Sequence, residues 1–206
     1  MDLLNVTKME PGDSLVLRGE KKLTVNVMMI GMGWDERKTP GQPLDADPAI
    51  ILRNAQGQTT SPDWVCYFGN QNPSWAHHTG DNLTGAGELD HTGDDERMFI
   101  NLDNVPAEVT HIDVFAHIYK GAERKQTFGD LPKGAIRIVN SPAWKDQNGT
   151  EIARIDLTSD DLFAATGMLF VQIVRKGPTW EVKAHNNPDA KFADLNKAFQ
   201  ATSPIL

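Results

Sequence analysis

Along most of this chain hydrophobic residues recur at alternate positions, the period of a β-strand with one buried face. Leu23, Val25, Val27 and Met29 alternate with Thr24, Asn26 and Met28. Ile112, Val114, Ala116 and Ile118 alternate with His111, Asp113, Phe115 and His117. Further strands are expected over residues 14–17, 49–52, 64–68, 98–102, 135–140, 151–157, 168–175 and 178–183. Turn signals separate them: Pro11-Gly12-Asp13, the 54–58 segment, Asn148-Gly149 and Gly177. Thr158-Ser159-Asp160-Asp161 has the composition of a cap on a short helical turn. The period changes only at the end. There Asn187 stands as a cap, Pro188 at the first turn, and Phe192, Leu195 and Phe199 on one face, which predicts a helix over 188–200. Many short strands divided by turns predict a mostly all-β chain, a two-sheet β-sandwich with a short C-terminal helix, in one domain over 1–206.

Two segments break the alternation. Residues 31–43 read as a loop carrying Trp34-Asp35-Glu36, and residues 69–95 as a long loop rich in Gly, Asn, Ser and Thr. A structureless loop of that length is uncommon in a compact domain and is usually functional or disordered. Its second half, from Gly80 to Glu96, holds Asp81, Glu88, Asp90, Asp94, Asp95 and Glu96 with four glycines. No Lys or Arg occurs between Arg53 and Arg97, so no cation close in sequence offsets these acids. Two outcomes relieve their repulsion. Either the loop is solvated and mobile, or a hard cation sits among the oxygens. Calcium takes six to eight oxygen ligands in irregular geometry, and magnesium is less suited because it demands a tight octahedron. The residues alone nominate Asp81, Asn82, Asp94, Asp95 and Glu96, with carbonyls near Leu83 and Gly85. Asp94 and Asp95 point to opposite sides of an extended backbone. That favours two ions, or one ligand and one supporting group. The pattern is not an EF-hand, because alternating Met98, Ile100 and Leu102 follow it instead of a helix.

These residues carry a resemblance. GDNLTGAG from Gly80, then GDDE from Gly93, then an alternating strand, resembles the signature of the TerD-like tellurite-resistance and calcium-binding stress proteins. Gly33-Trp34-Asp35, Leu44-Asp45-Ala46-Asp47 with Ala49 to Leu52, Val105-Pro106, Ile118-Tyr119, Arg124, Gln126, Phe128-Gly129, Arg137 and Val139-Asn140 also fall where that family has such residues. The spacer is longer than usual, with Leu89 to Thr92 as the extra segment, so either Glu88 or Asp90 corresponds to the family's spacer acid. Pro48 replaces a small residue, and His185-Asn186-Asn187 stands where the family has a glycine-containing segment.

The resemblance implies a β-sandwich with ion-binding loops clustered at one end and Ca²⁺ as the ion, two ions being expected from the opposed Asp94 and Asp95. It adds Asp45 and Asp47 to the ligand set, a D-x-D whose side chains share one side of a strand; Asp35, Glu88 and Asp90 are weaker candidates. It implies a non-catalytic role in stress, tellurite resistance and phage or colicin defence, as an ion-dependent scaffold or partner-recognition module. The expected partners are related TerD-like proteins, a membrane-associated complex or further copies of the chain, with a cytoplasmic location peripheral to the membrane. The alternative is an assembly protein whose acidic face makes protein contacts with metal incidental. A hydrolase using bound metal to activate water is a third class.

Composition narrows this further. The formal net charge of −8 over 206 residues disfavours nonspecific nucleic-acid binding, which needs a basic surface. The single cysteine, Cys66, permits no internal disulfide, and no apolar run reaches membrane-spanning length. No phosphate loop, H-E-x-x-H or G-x-S-x-G is present. Three minor readings remain. His111, Asp113 and His117 share a strand face and suit a transition metal or, alternatively, ordinary packing. His77, His78 and His91 flank the acidic loop, either as pH-sensitive groups or as solvated loop residues. The basic segment from Lys120 to Lys133 suits an anionic partner or a surface loop balanced by Glu123 and Asp130.

Overall fold

The computed structural model describes residues 7–9, 12–16, 25–35, 41–85, 93–131, 133–157, 164–185 and 195–200. The alternating segments pair into two six-stranded sheets. The first contains β1 (Thr7–Lys8), β3 (Val27–Trp34), β6 (Ala76–His78), β7 (Glu96–Asn101), β9 (Gly134–Ser141) and β10 (Thr150–Asp156), in the order β1-β10-β9-β3-β7-β6. The second contains β2 (Ser14–Val16), β4 (Ala46–Arg53), β5 (Val65–Cys66), β8 (His111–Ile118), β11 (Gly167–Lys176) and β12 (Thr179–Ala184), in the order β2-β12-β11-β8-β4-β5. Pairing is antiparallel except between β1 and β10.

One parity of each strand fills the main core. Met28, Ile30 and Met32 of β3 meet Ile50 and Leu52 of β4, Met98 and Ile100 of β7, and Ile112, Val114 and Ala116 of β8. The other parity is buried too. Val27, Met29, Phe99 and Val139 form a cluster on the first sheet. Ala49, Ile51, Val65 and Phe115 form another on the second sheet, under Ala198 of the C-terminal helix α2 (Leu195–Gln200). Hence every residue of β3, β4 and β8 is buried, not alternate ones. The half-buried strand expected from alternation at Val27 and Met29 is therefore buried on both sides.

Arg53 joins α2 to the sheet. Its guanidinium donates to the carbonyls of Ala198 at 2.6 Å and Phe199 at 3.2 Å, and to Asp113 Oδ2 at 3.0 Å. A cation at a helix C-terminus meets its unpaired carbonyls and the negative end of its dipole. Gln172 donates to the other Asp113 oxygen at 3.0 Å. Asp113 is thus spent on packing the helix, and His111, Asp113 and His117 form no metal-spaced group among the described residues. The rest of the expected helix, with Asn187, Pro188 and Phe192, lies outside the described residues, as does the 158–161 turn.

Two expected loops contain strand. Gly31 to Trp34 extend β3, because their neighbours approach too closely for side chains. A Cβ on Gly33 would lie 1.7 Å from the Gly93 carbonyl oxygen, and one on Gly31 2.4 Å from Asp94 Oδ2. Glycine is poor in strands, which hid the extension, but here it admits a neighbouring backbone. Gly33→Ala is expected to displace the 93–95 backbone and to cost about 2–3 kcal/mol, read as a lower urea midpoint with an unchanged slope. β6 lies inside the expected 69–95 loop, and a one-turn helix α1 (Gly121–Arg124) lies in the basic segment.

Candidate metal centre

Asp45 immediately precedes β4 and Asp47 is its second residue, so the strand's two-residue period sends both side chains the same way. Asp81 comes from the loop after β6. One carboxylate oxygen from each of these three lies within 4.8 Å of the others. Asp45 and Asp47 are buried, at 5% and 2% exposure, whereas Asp81 is exposed at the mouth. Glu96 opens β7 with no exposure, and the charges of Asp81 and Asp45 act on it. Strands from both sheets therefore contribute to one acidic group.

Its oxygens are poorly matched. Asp45 Oδ1, Asp47 Oδ2 and Glu96 Oε2 are buried with no hydrogen-bond partner among the described residues. Burial, then the charge of Asp81, pushes Asp45 up to about 6 against the opposing pull of Arg124. Burial, then Asp45, Glu96 and Asp81, pushes Asp47 up to about 9. Glu96 rises to about 8, chiefly through burial, although the Asn82 N–H donating to its Oε1 at 2.8 Å pulls it down. Cationic relief is thin. Arg124 Nη1 is 3.8 Å from Asp45 Oδ2, and His117 Nε2 is 3.6 Å from Asp47 Oδ2, both beyond hydrogen-bond length. His78 Nε2 lies 3.1 Å from Glu96 Oε2 without hydrogen-bond alignment. Burial lowers His78 to about 4, so it adds no positive charge near neutral pH.

The other nominated residues build the frame. Asp94 lies on the far side of the first sheet, where Arg137 donates to both of its oxygens at 2.6 and 2.5 Å and Arg97 to Oδ2 at 3.0 Å. Asp95 accepts from the Trp34 N–H at 2.8 Å and from Asn82 Nδ2 at 3.0 Å. The Asn82 side-chain oxygen accepts from the N–H groups of Thr84 and Gly85, both at 3.2 Å, closing the turn. Gly85 has φ +64 against the Trp34 ring, Leu83 is 59% exposed, and Asp35 is exposed at the end of β3. Glu88 and Asp90 lie outside the described residues.

A TerD domain profile matches residues 6–198, nearly the whole chain. The chain belongs to the TerD domain family. It is 38% identical over 159 residues to the tellurium resistance protein TerD of Serratia marcescens, covering 76% of this chain and 78% of that protein. It is 32% identical over 184 residues to general stress protein 16U of Bacillus subtilis, covering 88% and 84%. The crystal structure of a TerD homologue from Streptomyces coelicolor superposes with a TM-score of 0.66 over 84% of this chain and 95% of that one. At 17% identity that is a likeness of fold.

In this TerD domain two contributors were not nominated from sequence. Arg124 was read only as part of the family pattern and of the basic segment that suits an anionic partner. His78 was grouped with the loop histidines, although Ala76-His77-His78 is short strand. Chemically, the group offers closely spaced hard oxygens in a buried setting with an open mouth. That suits an oxygen-seeking divalent cation and suits no soft metal.

Proposed function

We propose that this TerD domain binds one calcium ion at Asp45, Asp47 and Asp81, with Glu96 beneath. We infer that it works as an ion-dependent scaffold or partner-recognition module of the stress and tellurium-resistance kind, not as an enzyme. The observation that carries this reading is the meeting of one carboxylate oxygen each from Asp45, Asp47 and Asp81 within 4.8 Å, beside buried oxygens of Asp45, Asp47 and Glu96 that have no hydrogen-bond partner among the described residues. A doubly charged ion would replace the protons that Asp47 and Glu96 otherwise retain near neutral pH and would tie β4 to the Asp81 loop. Backbone carbonyls and water would complete a calcium shell. A scaffold role is supported by the location of the group at a junction of two sheets. The cysteine offers no nucleophile, since burial pushes its thiol up to about 12. Related TerD domains, or further copies of this chain, are the first partners to test, with peripheral membrane association as a further reading.

The alternative, an assembly face with metal incidental, draws on Leu83, which stands exposed beside Asp81 and Asn82. Thermal unfolding of metal-stripped protein separates the two readings. Calcium at a hundredfold excess over its Kd stabilises a folded state by about 2.7 kcal/mol, which raises Tm by about 5–10 °C in a domain of this size. No change at millimolar calcium would favour the assembly face.

A further inference from the structure

Beside the acidic group lies an open cleft of about 470 Å³, lined by Gly41, Gln42, Lys120, Glu123, Arg124 and Gln126. Volumes of this order accommodate small ligands. Arg124 links the two features, because it lines the cleft and lies 3.8 Å from Asp45. We propose that Lys120 and Arg124 form the anionic-ligand half of a two-part site, in which they and the cation held by Asp45, Asp47 and Asp81 together bind a phosphate monoester. This inference rests on the calcium reading.

Three observations support it. First, Arg124 is not held as a structural arginine is held in this protein. Arg137 grips Asp94 through two hydrogen bonds of 2.5 and 2.6 Å, whereas Arg124 makes no side-chain hydrogen bond among the described residues and is 25% exposed. Its planar fork of donors therefore remains available, and bidentate capture of phosphate oxygens suits that fork. Second, its position is preset by the Tyr119 ring, which it overlies at 5.0 Å, with Lys120 at 5.6 Å from the same centroid. Third, the cleft is rigidly joined to the acidic group. Gln126, 3% exposed, donates through Nε2 to the carbonyls of Gln42 at 3.0 Å and Pro43 at 3.3 Å, just before Leu44 and Asp45. The Tyr119 N–H donates to the Asp45 carbonyl at 2.8 Å.

The charges make the two halves interdependent. Without a cation, those carboxylates of the acidic group that are ionised repel an anion in the cleft, and Arg124 Nη1 lies 3.8 Å from Asp45 Oδ2. A calcium ion held by these carboxylates offsets two of their negative charges and so weakens that repulsion. Arg124 is then released from Asp45, and cation, guanidinium and ammonium face one opening. A phosphate monoester has oxygens enough to touch the metal with one and the guanidinium with two. Glu123, 4.0 Å from Lys120 and largely exposed, can swing into solvent. Binding linkage then requires the phosphate to tighten calcium by the same factor as calcium tightens the phosphate.

The test is calorimetric titration of calcium into metal-stripped full-length protein, with and without glycerol 3-phosphate, using acetate as the ionic-strength control. Glycerol 3-phosphate is expected to tighten calcium binding about tenfold and acetate to leave it unchanged. In the double variant Lys120→Gln, Arg124→Gln the tightening should vanish, while calcium alone binds at least as tightly because the competing guanidinium is gone. Calcium binding that ignores glycerol 3-phosphate overturns this inference and leaves the calcium reading standing. Equal tightening in the double variant overturns the assignment to these two side chains. Absence of calcium binding overturns both readings.

Discussion

Asp94→Asn is expected to destabilise the protein by about 3–5 kcal/mol while leaving its calcium affinity unchanged. Asp94 looks like a ligand in the Asp94-Asp95-Glu96 run, but its carboxylate is enclosed by two guanidiniums. The side chains of Arg97 and Arg137 are only 4% and 9% exposed. Burial works against the Arg137 charge, yet the hydrogen-bonded carboxylates of Asp94 and Glu151 outweigh it and hold the pKa above the usual arginine value. Neutralising Asp94 leaves two buried cations with Glu151 and Gln147 as the remaining named acceptors. Removing one partner of a buried pair costs far more than the pair contributes, because the survivor's charge is then uncompensated. Urea unfolding measures the loss, and a calcium titration of the folded variant measures the affinity. A stable variant that no longer binds calcium would make Asp94 a ligand after all.

Asp47→Asn is expected to act with the opposite sign on stability, raising that of the metal-free protein by about 1–3 kcal/mol and abolishing calcium binding at millimolar concentrations. The native side chain buries an oxygen without a partner beside three further carboxyls, whereas the amide is neutral and brings donors to that site. The same clash appears in the pH dependence. Asp45, Asp47 and Glu96 have folded-state values of about 6, about 9 and about 8, all raised from ordinary carboxylate values. Between about pH 4 and about pH 9 the folded state keeps protons that the unfolded chain has lost, so stability falls as pH rises. The contribution of these groups is complete below the unfolded carboxylate range and is lost through the folded values. Metal-stripped protein should therefore melt at a lower temperature at about pH 9 than at about pH 5. The fall should shrink in the Asp47→Asn variant, and also with calcium present, since the ion substitutes for the protons. A melting temperature that rises over that interval would contradict the burial of these acids.

Much of the fold was legible because alternation is clear at Ile112 to Ile118 and because Met168 to Arg175 is a β-branched and apolar run. It failed where close approach overrides propensity. Gly31 and Gly33 read as loop because the backbone and side chain they accommodate, Gly93 and Asp94, are distant in sequence. The acidic group was only partly legible. Asp45, Asp47 and Asp81 were nominated, the first two through the family resemblance. Composition could not sort the three tandem acids, since Asp94 and Asp95 lie in irregular backbone before β7 and only Glu96 is on the strand. Asp94 faces Arg97 and Arg137, and Glu96 faces the acidic group. The absence of Lys or Arg from 54 to 96 also misled, because the balancing cations arrive from elsewhere in the fold, Arg137 from β9 and Arg124 from α1.

Calorimetric titration of calcium into the metal-stripped protein, beside its Asp47→Asn and Asp94→Asn variants, is the most direct measurement. Binding by the unaltered chain and by Asp94→Asn, with none by Asp47→Asn, is the expected result. Binding that survives in Asp47→Asn and disappears in a folded Asp94→Asn would place the ion on the other side of the first sheet and contradict the site described above.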